Sequence, residues 1–419
     1  MSARTVALRV LTRVFDEDAY ADRAFTGEAE RARLDARDRG LAMHLAFGAV
    51  QRRRTLDAAL EEIANRPVQR LERRLAHVLQ LGVFQILFAA GIPPHAAVSE
   101  SVELARREIG ARATGLTNAV LRRVAAEGPG WYAALPEEVP EEAALRHSLP
   151  DWIAETWFAA YGAERARALC SAANVPPAVS LWPNPARNGE AVVEAWLRDG
   201  ELTAVRDEAT GVLRVEGALD VAGSRAFTSG AVVPIARAAA LVAQRAGAAA
   251  GMRVLDLCAA PGGKTAVLAA TGARVTAVDK HPARAKALAG TLRRLGVAAE
   301  VVAADGRTFQ GGPYDRILVD APCSGLGVLA GRPDSRWRRS AEDVDRLAAL
   351  QLELVQHAAT LLAPGGELHY AVCTLNPGEN EAIAEAAGMV AHDELRTWPD
   401  EGDDGFYAAR LGARPAYRV

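Results

Sequence analysis

Two cysteines stand where a nucleophile would be useful. Cys323 lies in DAPCSG and Cys373 in YAVCTLNPGENE. Each ends an apolar run that reads as a strand, and each precedes a turn. A free cysteine is ordinarily a small buried hydrophobe. That reading suffices for Cys170, which sits among alanines in a helical stretch. At a strand end a thiolate has a chemistry of its own: it adds to C6 of a pyrimidine and makes C5 nucleophilic toward a methyl donor. The adduct must then lose the C5 proton and the thiol. Methylation of adenine or of an amino nitrogen needs no thiol and typically uses an (N/D)PP(Y/F/W) loop. Here that loop reads Asp320-Ala321-Pro322-Cys323, so the residues point to cytosine C5.

A glycine turn supplies the second half of such a reaction. Leu255-Asp256-Leu257-Cys258-Ala259-Ala260-Pro261-Gly262-Gly263-Lys264-Thr265 runs from a strand through two glycines into a helix. Glycine lets the backbone pass close to a ligand. The tail GGKT mimics a phosphate loop, but Cys258 holds the first glycine position and Pro261 removes an amide that would wrap phosphate. The dinucleotide GxGxxG pattern is absent. Asp279 ends the next strand, where an acid binds ribose hydroxyls in doubly wound folds. Asp305 ends the third strand and Asp320 the fourth. Acids at successive strand tips would repel a triphosphate. They suit a cationic ligand with a ribose and an exocyclic amine, which describes S-adenosylmethionine.

The elements that must position these residues are regular from residue 251 onward. Strands RVLDLCAA, RVTAVD, AEVVAAD, DRILVDAP and GELHYAVC alternate with helices such as ARAKALAGTLRRLG and AEDVDRLAALQLELVQHAATLLAP. This predicts a doubly wound, mostly parallel α/β sheet over 251–419, with ligands at the carboxyl ends of its strands. Residues 1–128 read as an all-α bundle: apolar residues recur at helical spacing (Val6, Val10, Val14; Leu75, Val78, Leu79) and no strand alternation occurs. Residues 129–150, rich in Pro and Glu, read as a linker. Residues 151–250 mix helical stretches with the strand candidates AVSLWPNP and GVLRVEG, a small α+β unit.

Composition bounds the rest. The 419 residues are half hydrophobic and 24% charged, enough for several domains with real cores. No apolar run is long enough to span a membrane, and the charged start MSARTVALRVLTRVFDEDAY has no apolar export segment. Four cysteines without CxxC or Cys/His spacing predict neither a disulfide scaffold nor zinc, so a reducing, cytoplasmic setting and no metal are expected; a monomer is expected as well. Net charge is −3, yet residues 1–130 carry 20 Arg against 16 Asp and Glu. Only three lysines occur, Lys264, Lys280 and Lys286. A run of Arg332, Asp334, Arg336, Trp337, Arg338 and Arg339 reads as a basic loop with one aromatic, suited to RNA backbone contact and stacking, or as a solvated charged loop.

In order, LDLCAAPGGKT, DAPCSG, RPDSRW and YAVCTLNPGENE resemble the motifs of the Sun/Fmu family of cytosine-5 RNA methyltransferases, bacterial enzymes acting on small-subunit ribosomal RNA. DDGFYAARL resembles their final strand, HSLPDWIAETW the opening of their middle region. DRGLAMHLAFGAVQRRRTLD, PHAAVSESVELA and TNAVLRR resemble the NusB-like helical domain joined to them. Two departures stand out: Val372 precedes Cys373 where Thr is common, and GAVVPIARAAALVA replaces a QDEAS-like sequence. The resemblance implies a NusB-like RNA-binding bundle before a class I methyltransferase sheet, with ribosomal RNA as partner. It implies that Cys373 is the nucleophile and that Cys323 assists breakdown of the adduct. It places the cofactor at Cys258, Ala259, Ala260, Pro261, Gly262, Gly263 and Lys264, with Asp279, Asp305 and Asp320. On this reading Asp320 would hold the cytosine amino group and N3, and Lys264 would lower a thiol pKa or contact RNA. Asn376, Glu379 and Asn380 follow Cys373 at an expected helix start, where capping alone would explain them.

Overall fold

The computed structural model describes residues 1–200, 202–216 and 219–413. They form two compact units, one of residues 1–176 with 329–338, the other of residues 177–328 with those after 338.

The first unit is all helix. Helices Ala3–Asp16, Ala21–Ala32, Ala36–Gln51, Arg53–Glu62, Arg73–Leu87, Pro94–Glu108 and Thr114–Ala133 share one core running from Val6 and Leu11 through Leu45, Leu79 and Leu104 to Val124. Their starts follow capping chemistry: Ser2 Oγ accepts from Thr5 N at 3.3 Å and Asp35 Oδ1 from Asp38 N at 2.8 Å. The stretch expected as a linker is largely helical. Thr114–Ala133 runs through its first residues, and Pro140–His147 forms a further helix. The prolines and glutamates there are a helix start: Pro140 takes the first turn, and the Glu142 carboxylate accepts from the backbone N–H of Glu138 and Val139 at 3.0 and 3.3 Å. Asp151–Ala172, expected with the α+β region, belongs to this helical unit. The unit boundary falls at Pro176-Pro177, where neither residue continues a helix.

The second unit holds two sheets. The smaller has β1 (Val179–Pro183), β2 (Ala204–Arg206), β3 (Leu213–Val215) and β4 (Val232–Pro234), antiparallel in the order β2-β3-β1-β4. The larger contains β5 (Arg253–Leu257), β6 (Arg274–Asp279), β7 (Glu300–Ala303), β8 (Tyr314–Asp320), β9 (Leu362–Val372), β10 (Met389–Thr397) and β11 (Phe406–Ala413), in the order β10-β11-β9-β8-β5-β6-β7. Strands β7, β6, β5, β8 and β9 are parallel; β11 and β10 continue the sheet antiparallel. Both faces are covered, which is why the central strands are continuous apolar runs. Leu255, Leu257, Ile317 and Val319 pack with Leu354 and Val355 of helix Ala341–Thr360, while Val254 and Leu318 share a core with Ala238 to Ala243 of helix Arg237–Arg245. No described helix is long and apolar enough to cross a membrane.

Candidate active site

The carboxyl ends of β6, β5, β8 and β9 lie side by side, and the chemistry gathers there. Asp279 is the last residue of β6 and Asp320 the last of β8; Cys258 follows β5 directly and Cys373 follows β9. Asp320 pairs across the ladder with Ala371, so the turn carrying Cys323 leaves one strand beside the turn carrying Cys373 on its neighbour. The two sulfurs are 3.3 Å apart. Gly327 N donates to Cys373 O at 3.1 Å and its carbonyl accepts from Gly405 N at 2.8 Å. A Cβ on Gly327 would lie 1.8 Å from Gly405 O, so only glycine permits this approach of the two loops.

Lys264 Nζ donates to Asp320 Oδ2 at 2.8 Å and lies 5.1 Å from the Phe406 ring centre. Burial works against the Lys264 charge, but Asp320, by charge and hydrogen bond, and Cys373 as thiolate more than offset it, raising the ammonium pKa. Cys323 is protonated: its hydrogen bond to Cys373 and its burial hold the proton on its sulfur, well above the ordinary thiol range. Cys258 is pushed up to about 12 by burial and by the carboxylates of Asp320, Asp279 and Asp256, so it stays a neutral thiol.

The glycine turn is held from both sides. Gly262 has φ +108°, and a Cβ there would stand 2.6 Å from Leu288 Cδ1. Ala259 N donates to Val278 O at 3.0 Å, and Arg284 Nη2 donates to Ala260 O at 3.1 Å. Asp279 is buried; Oδ1 accepts from His281 N at 3.1 Å. Arg284 comes within 3.2 Å of Oδ2 but off the hydrogen-bond line, so that buried oxygen has no hydrogen-bond partner. Asp305 differs: Arg307 grips both its oxygens, at 3.0 and 2.7 Å, and Lys280 lies 3.2 Å away. Hydrogen bonds from Arg307 hold its carboxyl well below the usual range.

Two features lay beyond sequence reasoning. Asp256, inside β5, is fully buried and accepts from Thr265 Oγ1 at 2.6 Å, locking the strand to the helix after the glycine turn. Burial pushes its carboxyl up to about 7. A raised acid stabilises the fold while protonated and loses that contribution as pH rises. Relative to Asp256→Asn, the native chain should therefore lose on the order of a few kcal/mol between about pH 4 and pH 7. Parallel melting-temperature curves for the two proteins over that range would contradict this. Glu379 is fully buried against both cysteine loops. Asn376 does cap its turn, accepting from Gly378 N at 2.9 Å, while the buried amide of Asn380 has no hydrogen-bond partner.

The basic loop is largely packed against the protein rather than solvated. Residues 329–338 belong to the helical unit. Arg336 is fully buried and donates to Ala173 O at 2.7 Å, Asn174 Oδ1 at 2.9 Å and Ser148 O at 3.2 Å. Trp337 Nε1 donates to Val50 O at 2.7 Å, and Arg338 bonds Asp334 and Asp18 at 2.6 and 2.5 Å. Only Arg332 of the run is exposed.

Family comparisons match this layout. Residues 247–396 fit the model of the 16S rRNA methyltransferase RsmB/F, and residues 1–126 fit the NusB family. The chain is 33% identical to ribosomal RNA small subunit methyltransferase B of Pseudomonas putida over 98% of both chains. It is 32% identical to the probable enzyme of that name from Bacillus subtilis, over 92% of this chain and 88% of that one. The chain belongs to the RsmB/F family of 16S rRNA methyltransferases. The solved structure of PH0851 superposes with a TM-score of 0.79 at 21% identity, covering 98% of this chain and 99% of that one, and so shares the fold. RsmB/F enzymes draw their methyl group from S-adenosylmethionine. The residues here fit that group: a glycine-only turn for a close backbone approach, an orphaned buried oxygen on Asp279 for a ribose hydroxyl, and acids for a sulfonium.

Proposed function

We propose that the chain transfers a methyl group to C5 of a cytosine in 16S ribosomal RNA through a covalent bond between Cys373 and C6. The observation that carries this reading is the pair of sulfurs 3.3 Å apart at the ends of adjacent parallel strands, beside the Lys264–Asp320 pair. S-adenosylmethionine supplies the methyl group as an electrophile, held by the 258–264 turn with Asp279 and the strand-tip acids. Lys264 keeps Cys373 ionised; its side chain is only 14% exposed, which favours this role over RNA contact. The Cys373 thiolate adds to C6 and the C5–C6 electron pair moves to C5, while Asp320, whose other oxygen is free of Lys264, holds the base by accepting from the cytosine amino group. Cys323 holds its proton because Cys373 faces it. Once Cys373 is bonded to carbon, that cause is gone, the Cys323 thiol passes its proton to solvent, and its thiolate takes the C5 proton as the C6–S bond breaks and Cys373 leaves as a thiolate.

Purified protein with S-adenosylmethionine and unmodified 16S rRNA should yield 5-methylcytidine on nucleoside mass spectrometry. Methyl on another base, or none, overturns the reading. Asp279→Ala should weaken cofactor binding by roughly 1–3 kcal/mol, and unchanged affinity by calorimetry would remove Asp279 from the site. The NusB-like region, residues 1–128, is proposed to bind the RNA through its arginines. Replacing its exposed Arg106, Arg107 and Arg112 by glutamate should leave cofactor affinity intact and cut the salt-dependent part of RNA binding. RNA affinity equal to the native chain's, at every salt concentration, would contradict that role.

A further inference from the structure

One buried carboxylate stands behind both thiols. Glu379 lies in the turn Pro377–Glu379, is fully buried, and is bonded to Gln351 of helix Ala341–Thr360 and Tyr370 of β9. Its Oε1 accepts from Ser324 N at 2.8 Å and from Gln351 Nε2 at 3.0 Å. Its Oε2 accepts from the Ser324 hydroxyl and from Thr374 Oγ1, the latter at 3.3 Å. Ser324 and Thr374 are the residues directly after Cys323 and Cys373, and their hydroxyls are 2.7 Å apart. Gln351 also donates to Pro322 O at 2.8 Å, directly before Cys323, and accepts from Tyr370 OH at 3.0 Å; the same hydroxyl reaches Glu379 O at 2.7 Å. A single carboxylate thus bonds both cysteine turns and, through Gln351 and Tyr370, the helix and strand that flank them. Burying a carboxylate is costly unless its lone pairs are filled, and here four donors fill them. Removing it would leave those donors unsatisfied and free the two turns to move apart.

We propose that Glu379 is a positioning residue whose carboxylate sets the spacing between the Cys323 and Cys373 sulfurs, so that both work on one base without either loop moving. This rests on the covalent reading for its purpose, but the spacing itself is measured without RNA. Phenylarsine oxide serves as the probe, because its arsenic must bond two sulfurs at once, releasing water. In the full chain it should bridge Cys323 and Cys373, as peptide mass spectrometry would locate. Glu379→Ala should lower this capture at least tenfold, while iodoacetamide still alkylates each cysteine singly and S-adenosylmethionine affinity is unchanged. Glu379→Gln, which keeps the shape and lets the hydroxyls turn round to accept, should largely restore capture. With RNA, Glu379→Ala should lower kcat while leaving KM for both substrates near native. If Glu379→Ala fails to fold, Ser324→Ala combined with Thr374→Val cuts the same links and should lose capture likewise. Undiminished arsenical capture in every folded variant overturns the proposal. Lost capture in a protein that makes no 5-methylcytidine would keep the clamp and discard the covalent reading.

Discussion

Cys373→Ala should lose methyl transfer by roughly 10⁴-fold or more and form no covalent complex with RNA, because C5 is never activated. Cys323→Ala should still attack and transfer the methyl group but stall before release, leaving an RNA-linked protein that survives a denaturing gel. The asymmetry follows from the protons: Cys323 keeps its own because it faces Cys373, and the Lys264 charge is favoured by a Cys373 thiolate. The inverse assignment, with attack by the cysteine that follows a proline, predicts the trapped complex in Cys373→Ala instead. The two variants on one gel, with radiolabelled RNA, separate the assignments. No adduct in either would count against covalent chemistry altogether.

Arg336→Ala should be the most damaging single change in the helical unit. Arg336 is fully buried, and no described carboxylate pairs with it. Burial, with Arg52 nearby, depresses its pKa to about 9, yet it remains charged at neutral pH. It is held by the acceptors of Ala173, Asn174 and Ser148. Truncation leaves them without donors in a dry site and opens a cavity, while relieving the cost of a buried cation. The net loss should be about 3 kcal/mol, or roughly 6–12 °C in the melting temperature of a unit this size. Arg332→Ala, at an exposed position of the same segment, should change it by less than about 0.5 kcal/mol. Equal melting temperatures for the two variants would refute this placement of Arg336.

How much of this could be read from residues alone depended on how local the signal was. Cys373, Asp279 and Asp320 end apolar strands next to turns, and strand ends in parallel sheets share one edge. Their juxtaposition therefore follows from the alternation of strands and helices. Asp256 was invisible as a partner because the Thr265 hydroxyl that bonds one of its oxygens comes near only when the strand and the following helix fold back on each other. Glu379 looked like a cap since its true partners lie 55 and 28 residues away along the chain, at Ser324 and Gln351. The arginine run 332–339 misled for a similar reason. Charge patterning cannot tell a solvated arginine from one that fills a pocket of carbonyls. The strand β10 escaped because HDEL interrupts its alternation at the register shift between His392 and Leu395. The Pro- and Glu-rich stretch 129–150 carried helix-start signals that composition alone reads as linker.

The covalent reading requires that Cys373 bond to C6 of a cytosine. Its most direct measurement is nuclease digestion of the complex trapped by Cys323→Ala, followed by proteolysis and tandem mass spectrometry. The digest should yield a peptide spanning YAVCTLNPGENE with a methylated cytidine on Cys373. A cytidine carried by any other residue, or a trapped base other than cytosine, would contradict it.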